Sequence, residues 1–395
     1  MNLNPKEATM LVQQAQALAG AIALALLGAA SAASAAEPDE ALVKPVTTTF
    51  EIAGSGTAEG QGTEVLNINS AGTLVGTYLD SSSVHHAFIR TSAGVETIFD
   101  DPSAGTGVGQ GTGASAINTA GVIAGAYGDS AGVAHGFVRA TDGTLTEFDG
   151  PGAGTGESKG TYPRGINTAG TIVGEYTDSS DVSYGFVRNA KTGKIAKISA
   201  PDAAGGTFMA LSIPDVFLNN GPLINTAGDI VGYYKDGIGA YHGFVRATDG
   251  TITEFDAPGA GTAEGQGTVA AGINAAGTIV GSYRDSSNIW HGFIRATDGT
   301  VTDINAGAGT GVANGTFAFG INDAGAVCGT YGNASGAAEG FVRSKSGKLK
   351  DFKAPAAGTG GGGEGTWPLL INDAGDVAGF VLDDALVVHG FVRTP

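Results

Sequence analysis

Gly272-Ile273-Asn274-Ala275-Ala276-Gly277-Thr278-Ile279-Val280-Gly281-Ser282-Tyr283, followed shortly by His291-Gly292-Phe293-Ile294-Arg295, is the stretch whose reading decides the fold. The same phrase spans residues 165–188 and returns, with variation, along the whole chain. Its Asn marks the register at Asn69, Asn118, Asn167, Asn225, Asn274, Asn322 and Asn372, at intervals of 49, 49, 58, 49, 48 and 50 residues. A fixed period in this range means one supersecondary unit repeated seven times.

Each unit reads as four short strands. In the fifth copy strand a is 269–274, strand b 278–283, strand c 291–296 and strand d 300–305. Gly277 closes a tight a–b turn, and Thr297-Asp298-Gly299 supplies hairpin chemistry between c and d. No segment within the repeats has helical periodicity with caps. Four antiparallel strands per repeat predict an all-β, seven-bladed β-propeller of four-stranded blades. The chain stops at Pro395, just after strand c of the last copy, while Thr47-Thr48-Thr49-Phe50-Glu51-Ile52 matches strand d elsewhere. The N-terminal strand is therefore expected to complete the C-terminal blade, which removes open sheet edges. An open β-solenoid gives no reason to split one repeat between the two ends.

The motif Ile-Asn-x-x-Gly-x-Val-x-Gly followed by His-Ala-Phe resembles the bacterial extracellular HAF-repeat family, named for that tripeptide. His86-Ala87-Phe88 matches it literally, and His135-Gly136-Phe137, His242-Gly243-Phe244, His291-Gly292-Phe293 and His389-Gly390-Phe391 are Gly variants. The resemblance covers residues 47–395. It implies repeat architecture and secretion, and no activity, cofactor or catalytic residue.

Composition supports the same picture. Gly is very frequent, at 68 of 395 residues, yet the apolar residues fall in short alternating runs, a strand-and-turn pattern. The formal net charge of −18 disfavours nucleic acid as a partner, because phosphate binding needs a basic surface. Seven of the nine arginines (Arg90, Arg139, Arg188, Arg246, Arg295, Arg343 and Arg393) hold one repeat position and read as framework. The lone cysteine, Cys328, occupies a slot that Val fills in four other copies, so it reads as a buried small apolar residue. At the N-terminus an apolar run, 18–30, precedes small residues 31–36. We read residues 1–36 as a secretory signal peptide, 37–46 as a linker and 47–395 as the propeller. An uncleaved anchor is the alternative, although the run is shorter than the ~20 residues of a comfortable span. The expectation is a secreted, extracellular or periplasmic monomer with no membrane span after cleavage.

Few residues invite chemistry. Five histidines start strand c, but equivalent positions on different blades lie too far apart to share one ion, so packing or hydrogen bonding explains them. Asp80, Asp129, Asp178, Asp236, Asp285 and Asp383 recur in the b–c turn, where Asp is favoured. A triad such as Asp285, Ser286 and His291 repeated in most blades is not a catalytic arrangement. No cofactor is expected. Calcium is the one ion with a chemical basis, through turn carboxylates, though no calcium-loop motif is present. Gly358-Thr359-Gly360-Gly361-Gly362-Gly363 formally fits a dinucleotide fingerprint but has no following helix.

Departures from the repeat carry more information. The long third interval places extra residues between Pro201 and Pro222. Strand a begins differently in several copies, with Glu64, Tyr162 and Arg164, Phe317, and Trp367. Trp290 ends a b–c turn. Propeller d–a and b–c connections share one face, so Tyr162, Arg164, Asp215, Phe217, Trp290, Phe317 and Trp367 are the candidate ligand-binding residues, with core packing of the aromatics as the competing reading. Arg164 is expected to meet an anionic group or to pair with Glu64 or Asp215. The functional expectation is a binding or structural scaffold for an unknown glycan, peptide or cell-surface component. Two alternatives stand beside it. One is a propeller enzyme on an extracellular polysaccharide, which needs two carboxylates ~5–10 Å apart, with Glu64 and Asp215 as the one pair set apart. The other is a calcium-dependent surface adhesin.

Overall fold

The computed structural model describes residues 44–198, 208–209, 222–307 and 315–395. The N-terminal apolar run, Asp215 and Phe217 lie outside the described residues, and the unit discussed below is Pro45–Pro395. The described residues form strands and turns with no helix. In the fifth repeat strand a (Gly267–Ile273), strand b (Ile279–Arg284), strand c (Trp290–Arg295) and strand d (Val301–Ile304) pair antiparallel in sequence order. The strands assemble into one 20-stranded and one 8-stranded hydrogen-bonded sheet.

Consecutive repeats are stitched at the start of strand a. Gly111 pairs in parallel with His85 of the preceding repeat, Gly160 with Ala134, Gly267 with Tyr241 and Gly365 with Ala338. This Gly has φ near +110°, and a Cβ on Gly111 would fall 2.0 Å from the His85 carbonyl oxygen, so no other residue fits. Gly62 makes the same pairing with Val388 of the last repeat.

The repeated Asn joins the same units at the other end of strand a. Its Oδ1 accepts backbone N–H groups of its own turn, as Asn69 does from Ala71 and Thr73 at 3.0 Å. Its Nδ2 donates to the backbone oxygen of the next Asn. The series runs Asn69, Asn118, Asn167, Asn225, Asn274, Asn322, Asn372, and Asn372 returns to Asn69 at 3.2 Å. Side chain and backbone therefore form an unbroken cycle of seven buried amides, each worth about 1 kcal/mol net.

The N-terminal strand Val46–Phe50 pairs antiparallel with Val388–Thr394, with Thr47 opposite Arg393 and Phe50 opposite Gly390. That register matches strand d elsewhere, for example Phe148 opposite Gly136. The seven strand-c phenylalanines, Phe88 through Phe391, are all 0 % exposed. Each lies directly across the ladder from the strand-b Gly, and at Gly281 a Cβ would come within 2.9 Å of Phe293 and 2.1 Å of the Val269 oxygen.

Two residues inside the long third interval pair as a strand. Phe208–Met209 pairs with Tyr234 and Tyr233 in the strand-a register, and Ile224 bridges Ile230 farther along the same line. Phe208–Met209 and Ile224 therefore both lie on the strand-a line of the fourth repeat. The reason is that pairing with strand b, and not chain order between prolines, defines strand a.

Candidate functional site

Strand a carries two side chains per repeat that break the sevenfold sameness. Pairing with strand b aligns the first as Glu64, Gly113, Tyr162, Val269, Phe317 and Trp367. The second stands at a β-bulge: Leu66, Ser115, Arg164, Ala271, Phe319 and Leu369 are each skipped by the ladder. A bulge re-aims its side chain out of the pleat.

In the later repeats these positions are filled by large apolar groups. Phe317, Phe319, Trp367 and Leu369 join Tyr233, Tyr241, Trp290 and Phe380 in one buried cluster. Trp290 lies 5.3 Å from Phe317, and Trp367 stacks on Phe380 while its Nε1–H donates to Gly363 O at 2.8 Å. Of the residues singled out in the sequence, Trp290, Phe317 and Trp367 are therefore covered by protein, at 4 %, 0 % and 2 % exposure. Tyr162 and Arg164 are half-buried.

Around the second repeat the same positions are nearly empty. Gly113, Ser115 and Ala126 leave a cavity of about 300 Å³, bounded by His85, Gly111, Ala134, Ser158, Tyr162 and Arg164. A methyl group at Gly113 would have no neighbour closer than 3.8 Å. Arg164 and His85 bring titratable groups to the lining of this cavity. Arg164 donates from Nε and Nη2 to the same oxygen of Glu175, Oε1, at 3.2 and 2.9 Å. The Arg164 guanidinium also lies 5.6 Å from the Tyr162 ring centre, and Tyr162 Oη donates to Ser158 O. His85 Nδ1 sits 3.3 Å from Thr77 Oγ1, and Thr77 lies directly across the ladder from Glu64.

Burial controls the protonation here. It raises Glu64 to about 7, with the Arg164 charge opposing the shift only in part. Glu64 keeps some accessible surface although protein surrounds it. Glu175 is also raised by burial, with the Arg164 charge and hydrogen bond opposing the shift. Burial, with the neighbouring His86 charge, lowers His85. His85, Glu175, Gly113 and Ser115 escaped the sequence reading. Their signal was present, since Glu175 is the one acid in a strand-b column of Thr77, Ala126, Tyr233, Ser282, Thr330 and Phe380. The small residues were passed over because an absent side chain draws less notice than an unusual one.

The turn histidines are accounted for by local bonds. His86 bridges Asp80 and Asp100, His135 bridges Asp129 and Asp149, and His242 bridges Asp236 and Asp256. Each stacks on the strand-b tyrosine about 5 Å away. The turn aspartates spend Oδ1 on their own backbone, as Asp80 does on Ser82 and Val84 N–H. Among the described residues no group of three or more His, Cys, Asp or Glu is placed to hold a metal ion, and no helix is long and apolar enough to cross a membrane. Cys328 is buried, and burial pushes its thiol up to about 12, away from reactivity.

A second concavity of about 190 Å³ opens at the Asn turns, lined by all seven Asn residues. It repeats nearly the same residues seven times, so the cavity with charged, non-repeated groups is the stronger candidate.

No family model matches the chain, and no curated protein matches it. Solved structures do. The BP39L lectin from Burkholderia pseudomallei aligns with a TM-score of 0.53 at 10% identity, over 83% of this chain and 95% of the lectin. The β-propeller domain of the Trilobed protease from Pyrococcus furiosus, which has an open velcro topology, aligns with a TM-score of 0.50 at 11% identity, over 87% of this chain and 95% of that one. The fold is a β-propeller. At these identities the likeness is one of fold alone.

Proposed function

We propose that this chain is a secreted, seven-bladed β-propeller of the HAF-repeat type, closed by its N-terminal strand, that acts as a binding scaffold with one ligand site per molecule. The observation that carries the reading is the asymmetry inside a repetitive frame. One sector is packed with aromatics, and another holds a cavity lined by Arg164 and His85, with Glu175 bonded to Arg164 and the Glu64 carboxyl within reach of its charge. Buried charges cost stability unless paired, so their presence at one non-repeated place is better explained by a ligand than by folding. The seven-membered Asn cycle and the pairing of Val46–Phe50 with Val388–Thr394 support seven blades and closure. The lectin likeness makes a glycan a reasonable first class to screen. The test is an array of glycans and peptides probed with the full chain and with Gly113→Phe. A ligand lost on filling the cavity supports the reading, and a ligand that binds both proteins equally places the site elsewhere.

A polysaccharide-acting enzyme is the second reading. Glu64, raised to about 7, suits a proton donor. Release of reducing ends from a polymer panel, abolished by Glu64→Gln, would establish it. The calcium adhesin reading asks more of the turn aspartates, whose oxygens already bond backbone N–H groups and His. Chelation that lowers the melting temperature would restore it. Export is tested by intact mass of secreted material, expected to begin near Ala36 or Glu37.

A further inference from the structure

We propose that the cavity beside Gly113 binds one neutral, hydroxyl-rich unit, a single monosaccharide residue, seated against Tyr162 and Arg164. The inference rests on the binding-scaffold reading and narrows it to a ligand class.

Charge balance carries the first part of the argument. Arg164 brings one cation, and Glu175 already neutralises it at 2.9 Å. Glu64 lies close enough to feel the same guanidinium. An anion entering the cavity would have to compete with one carboxylate and approach another. A neutral ligand meets no such opposition.

Hydrogen-bond geometry carries the second part. Both Arg164 contacts end on Oε1 of Glu175. Among the described residues, Arg164 Nη1 makes no hydrogen bond. Arg164 Nη1 is thus an unused donor on a lining residue, and the Ser115 hydroxyl beside it in the lining both donates and accepts. Vicinal hydroxyls, each of which donates and accepts, match that pair, whereas an anion offers only acceptors. His85 adds an imidazole to the same lining.

Shape carries the third. The cavity volume of about 300 Å³ lies at the small end of ligand sites, enough for a single ring. Its floor is Gly111, Gly113 and Ala126, which admit close approach. Tyr162 is half-buried and its hydroxyl is tied to Ser158, so its ring is held in place as an apolar wall for C–H groups.

The experiment is saturation-transfer NMR and calorimetry on the full chain. The probes are the methyl glycosides of glucose, galactose, mannose and fucose, glucuronate, galacturonate, inorganic phosphate and a mixed peptide pool. At least one neutral glycoside is expected to saturate, with the uronates and phosphate at least tenfold weaker. Gly113→Phe should abolish that binding at an unchanged melting temperature, because Phe317 holds the same position elsewhere. If that variant unfolds, Ser115→Leu serves, since Leu66 and Leu369 hold its position in other repeats. Tighter binding of a uronate or phosphate overturns the proposal, as does neutral-glycoside binding untouched by filling the cavity. Cavity-dependent binding of peptide alone also overturns it, yet leaves the scaffold standing. Silence from every probe overturns this proposal, and silence across the glycan and peptide array overturns the scaffold reading.

Discussion

Glu64 shows how a single side chain in a repeat frame reports its surroundings. Its carboxyl is raised to about 7 by burial, against an unfolded value near 4.5. Between those values the folded state holds a proton that the unfolded state has released, so stability falls as pH rises through that window. Glu64→Gln removes this penalty. The variant should melt higher than the parent at pH 8, by on the order of 2 kcal/mol after allowance for partial solvent access, and equally at pH 4. A thermal melt at the two pH values decides; equal melting temperatures at pH 8 would mean that Glu64 is solvated. The framework arginines were legible in the sequence as a group, but not their work. Arg90 lies over Phe50, Arg139 over Phe99 and Arg188 over Phe148, each 4.2–4.9 Å from the strand-d ring of the preceding repeat. Cation–π contact of about 0.5–1 kcal/mol per pair explains why Arg recurs where Lys would serve charge alone.

Strands show where repetition helps a reader and where it misleads. Strands b, c and d were readable in nearly every copy, because Gly, Phe and Arg mark them. The N-terminal strand was readable because it carries the strand-d pattern without a strand c before it. Phe50 joins the two ends: it lies opposite Gly390, and Arg90 of the first repeat covers it. Phe50→Ala should cost about 3 kcal/mol, seen as a lower denaturant midpoint. Removing residues 1–52 should expose the edge of Val388–Thr394 and give aggregation or a large loss of stability. A truncated chain that stays monomeric with an unchanged melting temperature would refute closure. Strand a of the fourth repeat was not legible, and only pairing with Tyr233 and Tyr234 locates Phe208–Met209 there.

Across the whole molecule, the net charge of −18 and the histidine–carboxylate bridges act together. Burial pulls His242 down, but its bonds to Asp256 and Asp236 outweigh that and raise it; His389 is raised in the same way by Asp383 and Glu51. A raised histidine contributes stability below its unfolded value near 6.5, lost as pH climbs through the folded one. Asp236 and Asp383 are lowered, because turn N–H groups and histidine outweigh burial. Their contribution is present above about pH 4 and lost as pH falls through the folded value. The bridges are therefore strongest between about pH 4 and 6.5, and self-repulsion of the acidic surface grows above that range. The melting temperature should peak on the acid side of neutrality, and added salt at pH 8 should raise it. A maximum above pH 8, or insensitivity to salt there, would contradict this account. The sequence by itself determined the seven repeats, the strand content and the meeting of the two ends, because these follow from period, alternation and turn chemistry, which are local along the chain. Tertiary structure alone decided that Trp290, Phe317 and Trp367 are core, that the seven Asn side chains close a cycle, and that Arg164 pairs with Glu175 beside an empty place at Gly113. Those facts depend on which side chains from distant repeats converge on one axis, and on the volume that small residues leave there, neither of which is written in any single stretch of sequence.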